Sequence, residues 1–111
     1  MPKPPIAFCI DSFEYKEKIG EDRYSEPEYA EPITIERCRI DRGTEYTSTT
    51  SGKQLLYNAV VFCYEGITTP LPVFKVESVL HFDDQDHVVT KVIPIYEAYS
   101  TTIYSYELEV V

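Results

Sequence analysis

His81 and His87 bracket the run Asp83-Asp84-Gln85-Asp86. Two imidazoles beside three carboxylates are the residue types from which a metal site or an acid–base pair is built. Their spacing argues otherwise. An EF-hand loop needs alternating oxygen ligands, a central Gly and a distal Glu, and that ordered set is absent here, so a solvated acidic turn is the plainer reading. A nucleophilic site fares no better: there is no G-x-S-x-G elbow, and neither His lies near a plausible partner in the chain. With nineteen acidic residues, some pair always falls at a glycosidase-like separation, so paired carboxylates carry no information. The expectation is a chain that is not an enzyme, with no catalytic residues, no metal site and no cofactor.

The elements that would have to position such groups are those of a sheet. Ten Tyr and five Phe in 111 residues favour strand over helix, and the length suits one domain with one modest core. Cys9, Cys38 and Cys63 are odd in number, far apart and set in apolar or β-branched runs, which points to buried thiols rather than a disulfide framework or zinc knuckle. A net charge of −9 opposes any role that depends on gripping many phosphates. No apolar run approaches the roughly 18 to 20 residues that span a bilayer, and the tail Met1 to Pro5 lacks the apolar region of a signal peptide. The expected site of synthesis is therefore the cytosol.

Residues 6–16 read as one bent strand or two short ones, from Ile6 to Ile10 and then the period-two pair Phe13 and Tyr15. Residues 17–32 form an acidic, tyrosine-dotted excursion punctuated by Gly20, Pro27 and Pro32. In 33–40 the inward parity switches near Glu36, from Ile33 and Ile35 to Cys38 and Ile40, which predicts a β-bulge. Residues 54–64 are apolar on both faces and read as one central strand. Val73, Phe74 and Val76 suggest a short or edge strand, and Val79–Phe82 with 87–95 make a hairpin about the acidic turn. Pro94 marks an edge or bulge, and Ser100-Thr101-Thr102 a second turn before a final strand with Tyr104, Tyr106, Leu108 and Val110 on the buried face. The expected fold is all-β: a small barrel or sandwich of six to seven short strands.

Residues 41–53 contain no apolar aliphatic side chain. Strand connections are usually much shorter, and a long structureless one tends to be a working loop. Thr44, Glu45, Tyr46, Thr47, Ser48, Thr49, Thr50 and Ser51 are its candidate working residues. Residues 11–36, with nine acids against three bases, read as a solubilising, flexible surface or else as an interface arm, in which Tyr15, Tyr24 and Tyr29 are amphipathic anchors of the sort enriched at contacts between subunits. Arg37, Arg39 and Arg42 either pair with Glu across strands or meet the acidic segment of an adjacent copy in a head-to-tail ring.

Pro5-Ile6-Ala7-Phe8, Tyr15-Lys16-Glu17-Lys18, Ala30 to Ile35, Arg37 to Arg42, Tyr57 to Phe62, Gly66 to Pro70, Pro72-Val73-Phe74 and Tyr104 to Val110 follow one another in a characteristic order. In that order the chain, over nearly its whole length, resembles the small minor capsid or head-closure proteins of tailed bacteriophages. The turn Asp84-Gln85-Asp86 departs from the family's pattern in having no Gly, which leaves the turn type and register open. The resemblance implies a β-barrel-like subunit that assembles as a homo-oligomeric ring below the portal or its adaptor, closes the head and meets the tail. By position and composition, residues 41–53 match the loop that projects into the DNA channel in such proteins. The protein would then reside in the neck of the virion, after synthesis in the bacterial host cytoplasm, and let DNA pass without tight binding or any membrane contact. A monomeric β-sandwich that binds a protein or small ligand is the alternative.

Overall fold

Six strands that bury apolar side chains on an inward face close into a barrel, and four others form two ribbons apart from it. In this computed structural model residues 3–111 are described, apart from the side chains of Glu45, Thr47, Leu55 and Leu56. In chain order the strands are β1 (Asp11–Lys16), β2 (Lys18–Glu21), β3 (Pro27–Tyr29), β4 (Ile33–Asp41), β5 (Glu45–Thr49), β6 (Gly52–Tyr57), β7 (Ala59–Tyr64), β8 (Val79–Phe82), β9 (Gln85–Tyr96) and β10 (Ile103–Val110). Six of them close in the order β1-β4-β7-β10-β9-β8, every neighbouring pair antiparallel. The remaining four form two separate ribbons, β2-β3 and β5-β6. The fold is all-β, a small single-domain barrel.

Inward positions follow the period of two: Phe13 and Tyr15 on β1, Ala59, Val61 and Cys63 on β7, Leu108 and Val110 on β10. A strand with one buried face has its register fixed by that pattern, because a one-residue slip turns every apolar side chain to water. Phe74 comes from the 65–78 connection rather than a strand, and fills the barrel with its ring centroid 5.1 Å from Tyr15 and 5.4 Å from Tyr106. The short strand expected at Val73 to Val76 is thus not formed; one aromatic plug is buried while Val73 and Val76 stay exposed.

The bulge stands where the parity of buried residues placed it. Asp11 pairs with Cys38 but Ser12 with Glu36, which leaves Arg37 as the extra residue at φ 62°. Its carbonyl is satisfied by Thr68, a buried residue whose Oγ1 donates to Arg37 O at 2.8 Å and accepts from Tyr64 N at 2.9 Å. The β8–β9 turn is tighter than expected, with Asp83 and Asp84 alone at its centre, both at positive φ (54° and 58°), as a type I′ turn requires. Aspartate tolerates the left-handed region, which removes the need for Gly. Pro94 lies in the outer half of β9, past the last residue paired with β8, so its missing N–H leaves no bond unmade there.

Four further expectations are corrected. The apolar run Ile6 to Ile10 is not strand: Ile6–Phe8 form one 3-10 turn after Pro4 and Pro5, and only Cys9 of the run is buried. Residues 54–64 are two strands, split at Asn58, whose N–H donates to Val110 O at 2.7 Å. Residues 41–53 are not structureless, since most of them belong to the β5-β6 hairpin, and the 17–32 excursion likewise contains β2-β3.

Candidate functional site

The two ribbons leave the barrel at opposite ends of the β1–β4 pair. β1 and β4 are antiparallel with Tyr15 opposite Ile33 and Asp11 opposite Cys38, so the 17–32 segment leaves beside Lys16 and Ile33, whereas β5-β6 leaves beyond Asp41, at the Asp11 end.

The base of β5-β6 is fixed by Arg42. Its guanidinium makes a two-pronged bond to Asp83, Nε to Oδ2 at 2.6 Å and Nη2 to Oδ1 at 3.2 Å, and a third to Asp11 Oδ1 at 3.2 Å. The second oxygen of Asp11 accepts from Ile40 N at 3.0 Å. This fork holds the Asp83 carboxyl below its ordinary pKa and raises that of Arg42. Above the base, Tyr46, Ser48, Thr49, Thr50 and Ser51 are exposed, as is Thr44 before the hairpin. Thr49 Oγ1 donates to Gly52 O at 2.9 Å and closes the turn over Thr50 and Ser51. Five residue pairs at about 3.4 Å each carry the tip ~17 Å from its base. The candidate side chains of Glu45 and Thr47 lie outside the described residues, although their backbones belong to β5.

Buried and surface polar bonds fix the base of the acidic ribbon. Tyr15 OH donates to Ser78 Oγ (3.3 Å) and accepts from Lys75 N (3.1 Å), while Ser78 Oγ also accepts from Lys18 N at 3.0 Å. Lys18 pairs with Glu77 and Lys75 with Glu17, each at 2.6 Å, and the first pairing holds the Glu77 carboxyl below its ordinary pKa. At the tip, Asp22 Oδ1 accepts from Tyr24 N and Glu26 N. Tyr24 and Tyr29 are exposed, as a contact surface requires, but Tyr15 is 2% exposed and offers none. It was legible as an anchor; that it anchors the core rather than a neighbour follows from its inward parity on β1.

Of the arginines, Arg42 is committed within the protomer. Arg37 and Arg39 are exposed, and among the described residues neither has an ion-pair partner. His81 Nδ1 lies 2.8 Å from Asp86 Oδ1, but His87 turns inward and stacks on Phe82 at 4.0 Å, so the imidazoles do not converge. Among the described residues no three potential ligands gather for a metal. The thiols of Cys9, Cys38 and Cys63 are free and buried, and burial, aided by the nearby charge of Asp11, pushes Cys38 up to about 12.

Sequence reasoning missed the segment before β1. Ile6, Phe8 and Ile10 are 53%, 64% and 82% exposed, beside a surface hollow of about 510 Å³. The run is apolar at every position from Ile6 to Ile10, so no pattern within it separates the buried Cys9 from its exposed neighbours.

A closed barrel carries two projecting ribbons, and among the described residues no catalytic groups converge. The sequence matches the model of the minor capsid protein family over residues 5–110, and the chain belongs to that family. Its role is therefore a structural one in a phage particle. It is 27% identical over 93 residues to an uncharacterized protein ORF5 of Lactococcus phage LL-H, covering 81% of this chain and 79% of that protein. No solved structure matches. Among the described residues no helix is long and apolar enough to cross a membrane.

Proposed function

We propose that this minor capsid protein is a head–tail joining subunit. It forms a ring below the portal or its adaptor, meets tail proteins on the opposite side, and presents the β5-β6 ribbon to the DNA channel. The observation that carries this reading is the ribbon itself: it pairs with no barrel strand, and its described side chains are the hydroxyls of Ser48, Thr49, Thr50 and Ser51, the Gln54 amide, Lys53, Tyr46 and Tyr57. A protomer gains little from such an element, because neither face is buried where the side chains are exposed. A reach of ~17 Å suffices to enter a ring lumen. The net charge of −9 suits a passage from which DNA must leave, since an acidic wall repels phosphates that a basic one would hold. Its work on this reading is mechanical, without catalysis or cofactor, and is done in the neck of the virion.

Replacing residues 44–52 by a two-residue turn tests the assignment. The barrel should keep its melting temperature to within a few degrees, because the ribbon is a separate sheet, while heads carrying the shortened chain should lose packaged DNA. Heads that retain DNA and join tails normally would overturn it.

A further inference from the structure

We propose that the apolar segment Ile6, Phe8 and Ile10, with Arg37 and Arg39 beside it, receives the acidic β2-β3 ribbon of a second copy of this chain. The inference rests on the ring-forming reading above and names the surfaces that would make the ring.

The segment is held in place without using its apolar side chains. Cys9 is tucked in at 4% exposure, Lys3 pairs with Glu97 at 3.6 Å and lies over the ring of Tyr104, and Asp11 opens β1. Ile6, Phe8 and Ile10 are thereby presented to water on an ordered backbone, which costs free energy unless something covers them. The residues that line the adjoining hollow include Ile6, Ile10, Glu36, Arg37 and Asp11, the last of which is already bonded to Arg42. Arg37 stands at the bulge with φ 62°, a conformation uncommon for a bulky residue, and its guanidinium has no ion-pair partner among the described residues.

The acidic ribbon has the complementary surface. Glu17, Glu21 and Asp22 are occupied within the protomer. Glu26, Glu28 and Glu31 are exposed and unpaired among the described residues, next to exposed Ile19, Tyr24 and Tyr29. Carboxylates interleaved with amphipathic rings suit an apolar surface edged by arginines, and Arg23 at the ribbon tip suits Glu36 in the hollow. Geometry excludes closure within one molecule. Residues 6–10 precede β1 and the ribbon follows it, so the six-residue strand keeps them ~17 Å apart or more. Two different surfaces at the two ends of one strand make a heterologous contact, the kind that propagates from copy to copy and gives a ring when its rotation closes.

Charge exchange in assembled particles tests this. One full-length variant carries Arg37→Glu with Arg39→Glu, the other Glu26→Lys with Glu28→Lys; circular dichroism checks that both fold. Copies of the chain per purified particle should fall at least about tenfold with either variant alone, since like charges then face each other, and should recover when the two are produced together, because each supplies the surface the other lacks. Wild-type incorporation of either variant alone would overturn the proposed surfaces while leaving the ring reading intact. Loss with both and no recovery in the mixture would show that the surfaces do not meet each other. Absence of the wild-type chain from particles would overturn the ring reading and this inference with it.

Discussion

The β2-β3 and β5-β6 ribbons are both two-stranded hairpins on the same barrel, yet they are made of opposite materials. The first carries acids and aromatics, and its base reaches the core through the Tyr15–Ser78–Lys18 relay. The second carries hydroxyls, and its base is held at the surface by the Arg42 fork. A hairpin with unburied faces cannot stabilise itself in water, so each needs an external tie. The acidic ribbon is tied by buried bonds and leaves charged and aromatic side chains exposed. The polar ribbon is tied by the ion pairs of Arg42 with Asp83 and Asp11, and its described side chains are mostly uncharged.

Breaking the core tie should have the largest effect. Tyr15→Ala removes a fully buried ring and should cost about 3–5 kcal/mol in urea unfolding, whereas Tyr15→Phe, which leaves Lys75 N without its acceptor, should cost about 1–3 kcal/mol and loosen β2-β3 in hydrogen exchange. Removing the surface tie should be milder. Arg42→Ala should lower the melting temperature by only a few degrees, as exposed ion pairs do, and should speed amide exchange in β5 and β6 without altering β2 and β3.

Acid should separate the ribbons as well. Burial pushes the His87 imidazole below its ordinary pKa of 6.5, against the pull of the Asp83 charge, and its Nε2 has no hydrogen-bond partner. The unfolded chain therefore takes up this proton first, so stability is full above about pH 6.5 and declines as the pH falls through the lower folded value. His87 and Arg42 line one hollow at the polar ribbon's base, so a melting series from pH 7 to 5 should show the decline in wild type and lose it in His87→Phe. Asp83 and Glu77 are held low by Arg42 and Lys18, so each surface tie is intact above the ordinary carboxylate values and is lost as the pH falls through the lower folded value of its carboxyl. The smallest effect is expected at Ser48→Ala, within about 0.5 kcal/mol of wild type.

Legibility in the sequence followed burial. The Glu36 bulge could be read because Ile35 and Cys38 both had to face inward, and the β8–β9 hairpin because apolar runs flank an acidic turn. The polar hairpin could not be read as strand, since Ser48, Thr49 and their neighbours bury neither face and give no period of two. Apolar content misled in the opposite direction at Ile6 to Ile10, where the side chains are not buried at all. Ions were the least legible: nothing in the spacing of Arg42 and Asp83, forty-one positions apart, announces that they meet.

The three sulfur atoms carry a final consequence. Cys9, Cys38 and Cys63 are shielded from solvent, and burial raises the pKa of each thiol, so the reactive thiolate is scarce and oxidants have little to attack. A particle component of this build keeps its thiols unchanged in reducing and in oxygenated surroundings alike.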